Sequence, residues 1–163
     1  MITTIAITSF NRLKYTKALL KSLENLSRDN FYFIVVDNCS VESGLQDFLK
    51  EKEKSGEIHK LILRDPKDRN WTNDEYIAKN LIIENSPTDT ILFLQDDLNF
   101  IGCEDSLTKI VEDFKTLPGL CLELNGVRTV SNFNRFVSRR NFKGNSGYKY
   151  WASDDNHFQT MGL

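Results

Sequence analysis

Apolar runs and amphipathic stretches alternate along the first two-thirds of the chain. Short runs rich in β-branched and aromatic residues predict buried strands. These runs lie at 3–9, 31–36, 58–63 and 90–94, with a fifth at 120–124. Strands without a polar face are typical of parallel sheets that are covered on both sides.

The stretches between these runs carry apolar residues on one helical face and predict amphipathic helices. One helix follows Asn11, a second follows Gly44, a third begins at a Thr72–Glu75 capping box, and a fourth follows Asp105. Strands that alternate with helices predict an α/β fold. We expect a single-domain, three-layer α/β/α sandwich with a mainly parallel sheet and an irregular C-terminal part.

In open α/β sheets, ligands bind beyond the carboxyl ends of the strands. The polar residues at those ends are Ser9 to Arg12, Asp37 and Asn38, Arg64 and Asp65, and Gln95 to Asp97. Adjacent Asp96 and Asp97 repel each other unless a cation or solvent compensates, so they predict a divalent-cation site. The alternative interpretation of the Asp96–Asp97 pair is a surface turn. Asp37 could instead be a turn residue after its strand, and Asn11 could be the N-cap of the following helix.

Several nucleotide-binding motifs are absent. No G-x-G-x-x-G follows the first strand, which disfavours a dinucleotide fold, and no P-loop sequence occurs. A receiver domain is disfavoured because the acid pair follows the fourth strand instead of the first.

Composition and charge limit the number of domains and the classes of binding partner. The chain has 163 residues, 27% of them charged, and a formal net charge of −2, which fits one globular domain. Six basic and no acidic residues lie in 125–153, which is either a solvated face or a surface for an anionic substrate. No nucleic-acid-binding motif accompanies these charges, so we expect no nucleic-acid partner.

Cysteine usage and hydropathy predict the location. The three cysteines are widely spaced without a C-x-x-C pair, which favours reduced thiols in the cytoplasm. No signal peptide or membrane-spanning stretch is recognisable. Peripheral attachment to a membrane through the basic segment is the second expectation.

Four motifs in order resemble glycosyltransferase family 2 with the GT-A nucleotide-diphospho-sugar fold. They are Thr8-Ser-Phe-Asn-Arg12, Val35-Val-Asp-Asn-Cys-Ser40, Asn70 with Lys79-Asn80, and Ile91-Leu-Phe-Leu-Gln-Asp-Asp97. The resemblance covers roughly two-thirds of the chain. It implies a nucleotide-sugar-binding half at 1–102 and a short acceptor-side half at 103–163.

The resemblance also implies roles for individual residues. Asp37 would accept a hydrogen bond from the nucleobase, and Asp97 would hold Mn²⁺ or Mg²⁺ in a DXD-like motif, with Asp96 facing the ribose or sharing the cation. The other residues implied in nucleotide binding are Thr8, Asn11, Arg12 and Lys79, and for Lys79 an exposed helix lysine is the alternative. Gln95 stands where many relatives have a third acid. Asn70-Trp71-Thr72 replaces the more usual Asn-x-Gly of the family. For Trp71, a core position is favoured over a wall of the sugar pocket.

The relatives supply a catalytic base from the C-terminal half, where the acids after Glu123 are Asp154 and Asp155. Either would take the proton of the acceptor hydroxyl, and His157 would be a third metal ligand. The alternative is a flexible polar terminus.

The resulting hypothesis is a metal-dependent glycosyltransferase. It would move a sugar from a UDP-linked nucleotide-diphospho-sugar to a hydroxyl of a glycan or other acceptor, with inversion. The alternatives are a weak or inactive nucleotide-sugar-binding relative, and a nucleotidyltransferase on a similar sheet.

Overall fold

The computed structural model describes residues 3–26, 29–97, 108–109 and 111–112, and the backbone of 139–143 and 149–153. The chain divides into two compact units, Met1–Ile101 and Gly102–Leu163, which are described separately. The candidate site described below lies in the first unit.

Four strands form the sheet of the first unit: β1 (Thr3–Ser9), β2 (Phe31–Asp37), β3 (Lys60–Leu63) and β4 (Ile91–Gln95). Their order is β3-β2-β1-β4, and all three pairings are parallel. Parallel neighbours need long crossover connections, which the predicted amphipathic helices provide. The α/β class and the mainly parallel sheet are therefore confirmed.

Three helices make those crossovers: α1 (Leu13–Ser22), α2 (Leu45–Lys54) and α3 (Asp74–Asn85). The chain moves in one direction from β1 through β2 to β3, so right-handed crossovers place α1 and α2 on the same face. The connection from β3 to β4 runs back across the sheet and places α3 on the opposite face. The result is three layers, with the sheet in the middle.

The core fills both faces of the central strands. On the face that α3 covers, a cluster of fully buried residues comprises Ala6, Ile34, Val36, Ala78 and Ile82. Ile5, Ile7, Phe33 and Val35 alternate with them along β1 and β2 and are also fully buried. Burial on both faces explains why these strands are unbroken apolar runs.

The start of α3 differs from the prediction. The helix begins at Asp74 with Asn73 as its N-cap, and no side chain caps it. The Thr72–Glu75 capping box does not form: Asn73 takes the N-cap position, and the Thr72 backbone N–H donates to Asn70 Oδ1 at 3.3 Å instead of to Glu75. The backbone N–H groups of Asn73 and Asp74 also donate to Asn70, at its carbonyl. The chain turns at Asn70 instead.

In the second unit, β5 (Arg139–Lys143) pairs with β6 (Lys149–Ser153) as an antiparallel hairpin. Positions 108–109 and 111–112 are helical, within the predicted fourth helix. The strand predicted at 120–124 lies outside the described residues. Within the described ranges, no helix is long and apolar enough to cross a membrane.

Candidate functional site

The carboxyl ends of β1, β2 and β4 meet at one edge of the sheet. Ser9 pairs with Asp37 and Thr8 with Gln95, so the polar residues that follow these strands come together. The strand order reverses between β1 and β4, since the chain leaves β1 in one direction and returns to β4 from the other. This reversal is the switch point at which open α/β sheets bind ligands.

Asp37 ends β2 and is fully buried. Its Oδ2 accepts hydrogen bonds from the Ser40 backbone N–H at 3.2 Å and from Gln46 Nε2 at 3.0 Å. Its Oδ1 is buried and has no hydrogen-bond partner among the described residues. A buried carboxylate oxygen without a donor is costly, so this oxygen is suited to receive a donor from a ligand.

Asn11 joins the loop after β1 to the loop after β2. Its Oδ1 accepts from the backbone N–H groups of Val41 at 2.8 Å and Glu42 at 3.0 Å. Its own N–H donates to Ser40 Oγ at 2.9 Å. Asn11 has a φ of 48°, a left-handed conformation that asparagine tolerates better than most residues.

The interpretation of Asn11 as the cap of α1 is wrong. Arg12 occupies the N-cap position and makes no side-chain cap bond. Instead, Glu42 Oε2 accepts from the backbone N–H of Leu13 at 2.7 Å, so a residue from the neighbouring loop closes the start of α1. A carboxylate is also favourable at a helix N-terminus because of the helix dipole.

Asp96 and Asp97 follow β4 and share one cation, Arg12. Arg12 Nη1 lies 2.8 Å from Asp97 Oδ2 and 3.4 Å from Asp96 Oδ1. The Asp96 side chain is 7% exposed, whereas that of Asp97 is 44% exposed. Asp96 Oδ2 also accepts from the Phe10 backbone N–H at 3.0 Å, which ties β4 to β1.

Asp96 and Arg12 influence each other's pKa. Burial raises the pKa of Asp96 and outweighs the opposing effects of the Phe10 N–H and the Arg12 charge. The Asp96 charge in turn raises the pKa of Arg12. A buried carboxyl with a raised pKa beside an exposed partner is an arrangement often found at functional sites.

Arg64 is buried and donates hydrogen bonds to three residues. The sequence pattern identified it only as a polar residue after β3. It is 8% exposed, and its Nη1 donates to Asn38 Oδ1 and, at 2.9 Å, to Asp74 Oδ1. Its Nη2 donates to the Asp68 carbonyl at 3.1 Å. No sequence motif signals this role, since Arg64 and Asp74 meet only in the folded chain.

Burial tends to raise the pKa of Asp74, but the Asn70 N–H and the Arg64 guanidinium outweigh it. The pKa of Asp74 is therefore lowered. Asp74 is consequently a stable carboxylate that anchors the loop after β3 to the start of α3.

Phe10, Arg69 and Trp71 form a stack beside the carboxyl end of β1. The Arg69 guanidinium carbon lies 3.1 Å from the centroid of the Trp71 ring and 4.1 Å from that of the Phe10 ring. Trp71 is 79% exposed, so its interpretation as a core residue is wrong. Its indole lies on Arg69, and cation–π attraction explains how an exposed tryptophan is held in place.

The family model described as glycosyl transferase family 2 matches residues 4–162. The chain belongs to this family.

Solved structures of S. aureus TarS resemble this family 2 chain. One TarS structure is 23% identical with a TM-score of 0.53, and the match covers 70% of this chain and 20% of TarS. TarS 1–349 with UDP is 20% identical with a TM-score of 0.56, covering 71% of this chain and 32% of that one. TarS 1–349 with UDP-GlcNAc is 19% identical with a TM-score of 0.53 and the same two coverages, 71% and 32%.

These likenesses confirm the GT-A fold. The family 2 chain spans between a fifth and a third of the length of these TarS chains. No curated protein matches the sequence.

Of the other residues implied by the family resemblance, two lie in β1 and α3 and three lie outside the described part. Thr8 is half-buried in β1 between Val36 and Gln95. Lys79 Nζ pairs with Glu75 Oε1 at 2.7 Å, one turn away on α3. Asp154, Asp155 and His157 lie outside the described residues, and β6 ends at Ser153 just before them.

Asp97 is the described residue best suited to a divalent cation. Carboxylate oxygens are the ligands that Mg²⁺ and Mn²⁺ prefer, and only one oxygen of Asp97 takes part in the ion pair with Arg12. Within the described ranges, no group of three or more histidines, cysteines and acids could hold a metal ion.

Proposed function

We propose that this family 2 chain is a metal-dependent glycosyltransferase. It transfers a sugar from a nucleotide-diphospho-sugar, with UDP as the nucleotide, to a hydroxyl of a glycan or other acceptor, with inversion. The observation that carries the proposal is the unpartnered Oδ1 of Asp37 at the switch point of the sheet.

The nucleobase would supply the missing donor to Asp37. The N–H of uracil is a donor of the required kind, and the rest of the Asp37 carboxylate is already fixed by Ser40 and Gln46. A carboxylate with one satisfied and one open oxygen is pre-organised, so binding the base costs little reordering. Thr8 and Asn11 would shape the pocket around the base.

The diphosphate would lie at the carboxyl end of β4. Asp97, with Asp96 and with His157 from the C-terminal segment, would hold Mn²⁺ or Mg²⁺ there. The cation would neutralise the charge on the leaving diphosphate. Arg12 and Lys79 would provide further positive charge for the phosphates. The bond from the Phe10 N–H to Asp96 links the end of β4 to the loop after β1.

The acceptor hydroxyl needs a base, and Asp155 or Asp154 is proposed for it. Removal of the hydroxyl proton by a carboxylate makes the oxygen a better nucleophile as the sugar–phosphate bond breaks. The basic segment at 125–153 precedes these acids and would favour an anionic donor or acceptor. We place the reaction in the cytoplasm, with peripheral contact to a membrane as the variant that suits a lipid-linked acceptor.

The direct test is release of UDP from a panel of UDP-sugars, with and without Mn²⁺ or Mg²⁺, in the presence of candidate acceptors. The parental protein should release UDP only with the cation. Asp97→Asn should lower the rate by at least about 100-fold, the scale expected for a lost electrostatic contact in the transition state. Asp47→Asn, an exposed acid on α2, is the matched control and should keep the parental rate.

The base assignment has its own variants. Asp154→Asn and Asp155→Asn should differ, and one of them should lose about 100-fold or more in rate while still binding UDP. Parental rates for both would contradict the assignment. UDP binding without turnover of any sugar would favour an inactive relative. Release of pyrophosphate from UTP and a sugar 1-phosphate, in a separate assay, would favour a nucleotidyltransferase.

A further inference from the structure

Arg12 is paired with the carboxylate at which the divalent cation is proposed to bind, through Oδ2 of Asp97. We infer that Arg12 is a resident counter-ion, which makes binding of the divalent cation at Asp97 conditional on the nucleotide diphosphate. The inference rests on the proposed function, because it concerns the same cation and the same nucleotide.

One nitrogen of Arg12 serves both carboxylates. Nη1 is 2.8 Å from Asp97 Oδ2 and 3.4 Å from Asp96 Oδ1, so the guanidinium compensates the repulsion between the two acids. Two adjacent carboxylates otherwise need a metal ion for this. In the absence of ligands, Arg12 therefore offsets the repulsion between Asp96 and Asp97, as a metal ion would.

Arg12 and a divalent cation compete for Asp97. A cation bound to Asp97 would lie within a few ångströms of the guanidinium, and like charges repel at that distance. The cation must therefore displace Arg12 or bind weakly. Asp96 does not remove this competition, since its Oδ2 accepts the Phe10 N–H and its Oδ1 also faces Arg12.

A diphosphate removes this obstacle. Phosphate oxygens accept the forked hydrogen bonds of a guanidinium, and they also coordinate Mg²⁺ and Mn²⁺. When the donor binds, Arg12 can exchange a carboxylate for a phosphate and leave Asp97 to the cation. Nucleotide and cation then strengthen each other's binding, and the cation alone binds poorly.

The local structure suits such an exchange. The backbone before Arg12 is pinned, because Asn11 is tied to Ser40, Val41 and Glu42. The Arg12 side chain is 49% exposed and makes no cap bond to α1. Because the backbone before Arg12 is anchored and its guanidinium is exposed, the side chain can change its partner without a change in the fold.

The test is calorimetry on the full chain, with Mn²⁺ alone, UDP alone, and each in the presence of the other. Arg12→Gln should bind Mn²⁺ alone about tenfold more tightly than the parental protein. The factor by which UDP strengthens Mn²⁺ binding should fall by a similar amount, within the usual range of coupling between two sites. Lys50→Gln, which removes an exposed cation from α2, should leave all the affinities unchanged.

A purely structural role for Arg12 predicts the opposite sign, because a disordered site would bind Mn²⁺ less tightly. Equal or weaker Mn²⁺ binding by Arg12→Gln, with UDP still bound by the parental protein, overturns the inference alone. Failure of the parental protein to bind UDP, or to bind Mn²⁺ when UDP is present, overturns the proposed function as well. If Arg12→Gln does not fold, Arg12→Lys decides. The lysine ammonium is more strongly hydrated than a guanidinium and lies on a more flexible stem, so it holds the two acids less firmly and Mn²⁺ alone should bind about threefold more tightly. An unchanged affinity contradicts the inference.

Discussion

Asn11 and Glu42 hold each other's loops. The Asn11 amide oxygen accepts the Glu42 backbone N–H at 3.0 Å, and the Glu42 carboxylate accepts the Leu13 N–H two residues beyond Asn11. The loops after β1 and β2 are thereby joined around the place where Asp37 is buried. This pair therefore holds together the two loops that flank Asp37.

Substitution of Asn11 should destabilise the fold in a defined order. Asn11→Ala loses two accepted hydrogen bonds and puts alanine at a φ of 48°, which together cost about 2–4 kcal/mol in the free energy of unfolding. Asn11→Gly relieves the backbone but not the lost bonds, so it should lie between Ala and the parental protein. Asn11→Asp keeps the acceptor and should cost least. Urea denaturation measures all three, and Gly equal to Ala would exclude a backbone contribution.

Asp37→Asn should change the base preference. The asparagine oxygen can keep the bonds to Ser40 and Gln46, which places its NH₂ group where Oδ1 now lies. A donor there opposes the N–H of uracil but matches the acceptor nitrogen of cytosine. Loss of a hydrogen bond to a charged group corresponds to about 10–100-fold in affinity for UDP.

Calorimetry with UDP and CDP measures this change in preference. The ratio of UDP to CDP affinity should fall in Asp37→Asn and stay constant in Asp47→Asn. An unchanged ratio would mean that Asp37 does not contact the base.

Asp74 should stabilise the protein above the pKa of an unfolded aspartate and lose this effect in acid. Its folded pKa is lowered, so the native state binds its proton only at a lower pH than the unfolded chain. The difference in unfolding free energy between parental protein and Asp74→Asn should therefore be constant above about pH 5 and shrink as the pH falls below about 4. Chemical denaturation across pH 3–7 provides the measurement, and a constant difference throughout would contradict the lowered pKa.

Asp96 should have the opposite pH dependence. Its folded pKa is raised by burial, so the native state holds the proton more tightly than the unfolded chain does. Its contribution to stability is then present at low pH and declines as the pH rises from about 4 through the folded pKa. Asp96→Asn should remove that decline, whereas a slope identical to that of the parental protein would show that Asp96 is not the responsible group.

Trp71 should behave as a surface residue. The chain has two tryptophans, so Trp151→Phe leaves Trp71 as the only indole fluorophore. Its emission should be readily quenched by acrylamide, and Arg69→Ala should shift it, because the guanidinium lies 3.1 Å from the ring centroid. Trp71→Ala should cost about 1 kcal/mol or less, against 2–5 for a core leucine such as Leu49. A cost in the core range would restore the core interpretation.

The sequence predicted most of the sheet because its signals are local. Unbroken apolar runs such as β2 need no tertiary information to be recognised, and the acids at their ends follow directly. Local signals do not predict the positions of Trp71 and Arg64 or the start of α3. An aromatic residue suggests a core unless its cationic partner is known, and the bonds of Asp74 to Arg64 and Asn70 come from chain segments that meet only after folding.

The candidate site was predictable in part for the same reason. Asp37, Asp96 and Asp97 were identified by position after strands, but the bridge from Arg12 to both acids depends on β1 and β4 being neighbours. The roles of Asp154, Asp155 and His157 stay predictions, as does the division of the chain into donor and acceptor halves.

A crystal structure of the complex with UDP and Mn²⁺ tests the central claim most directly. We predict that the uracil N–H lies within hydrogen-bond distance of Asp37 Oδ1, that Mn²⁺ is bound to Asp97 and the diphosphate, and that Arg12 has left Asp97. A nucleotide bound elsewhere, or a base that does not reach Asp37, would contradict the assignment of this site as the donor site of a glycosyltransferase.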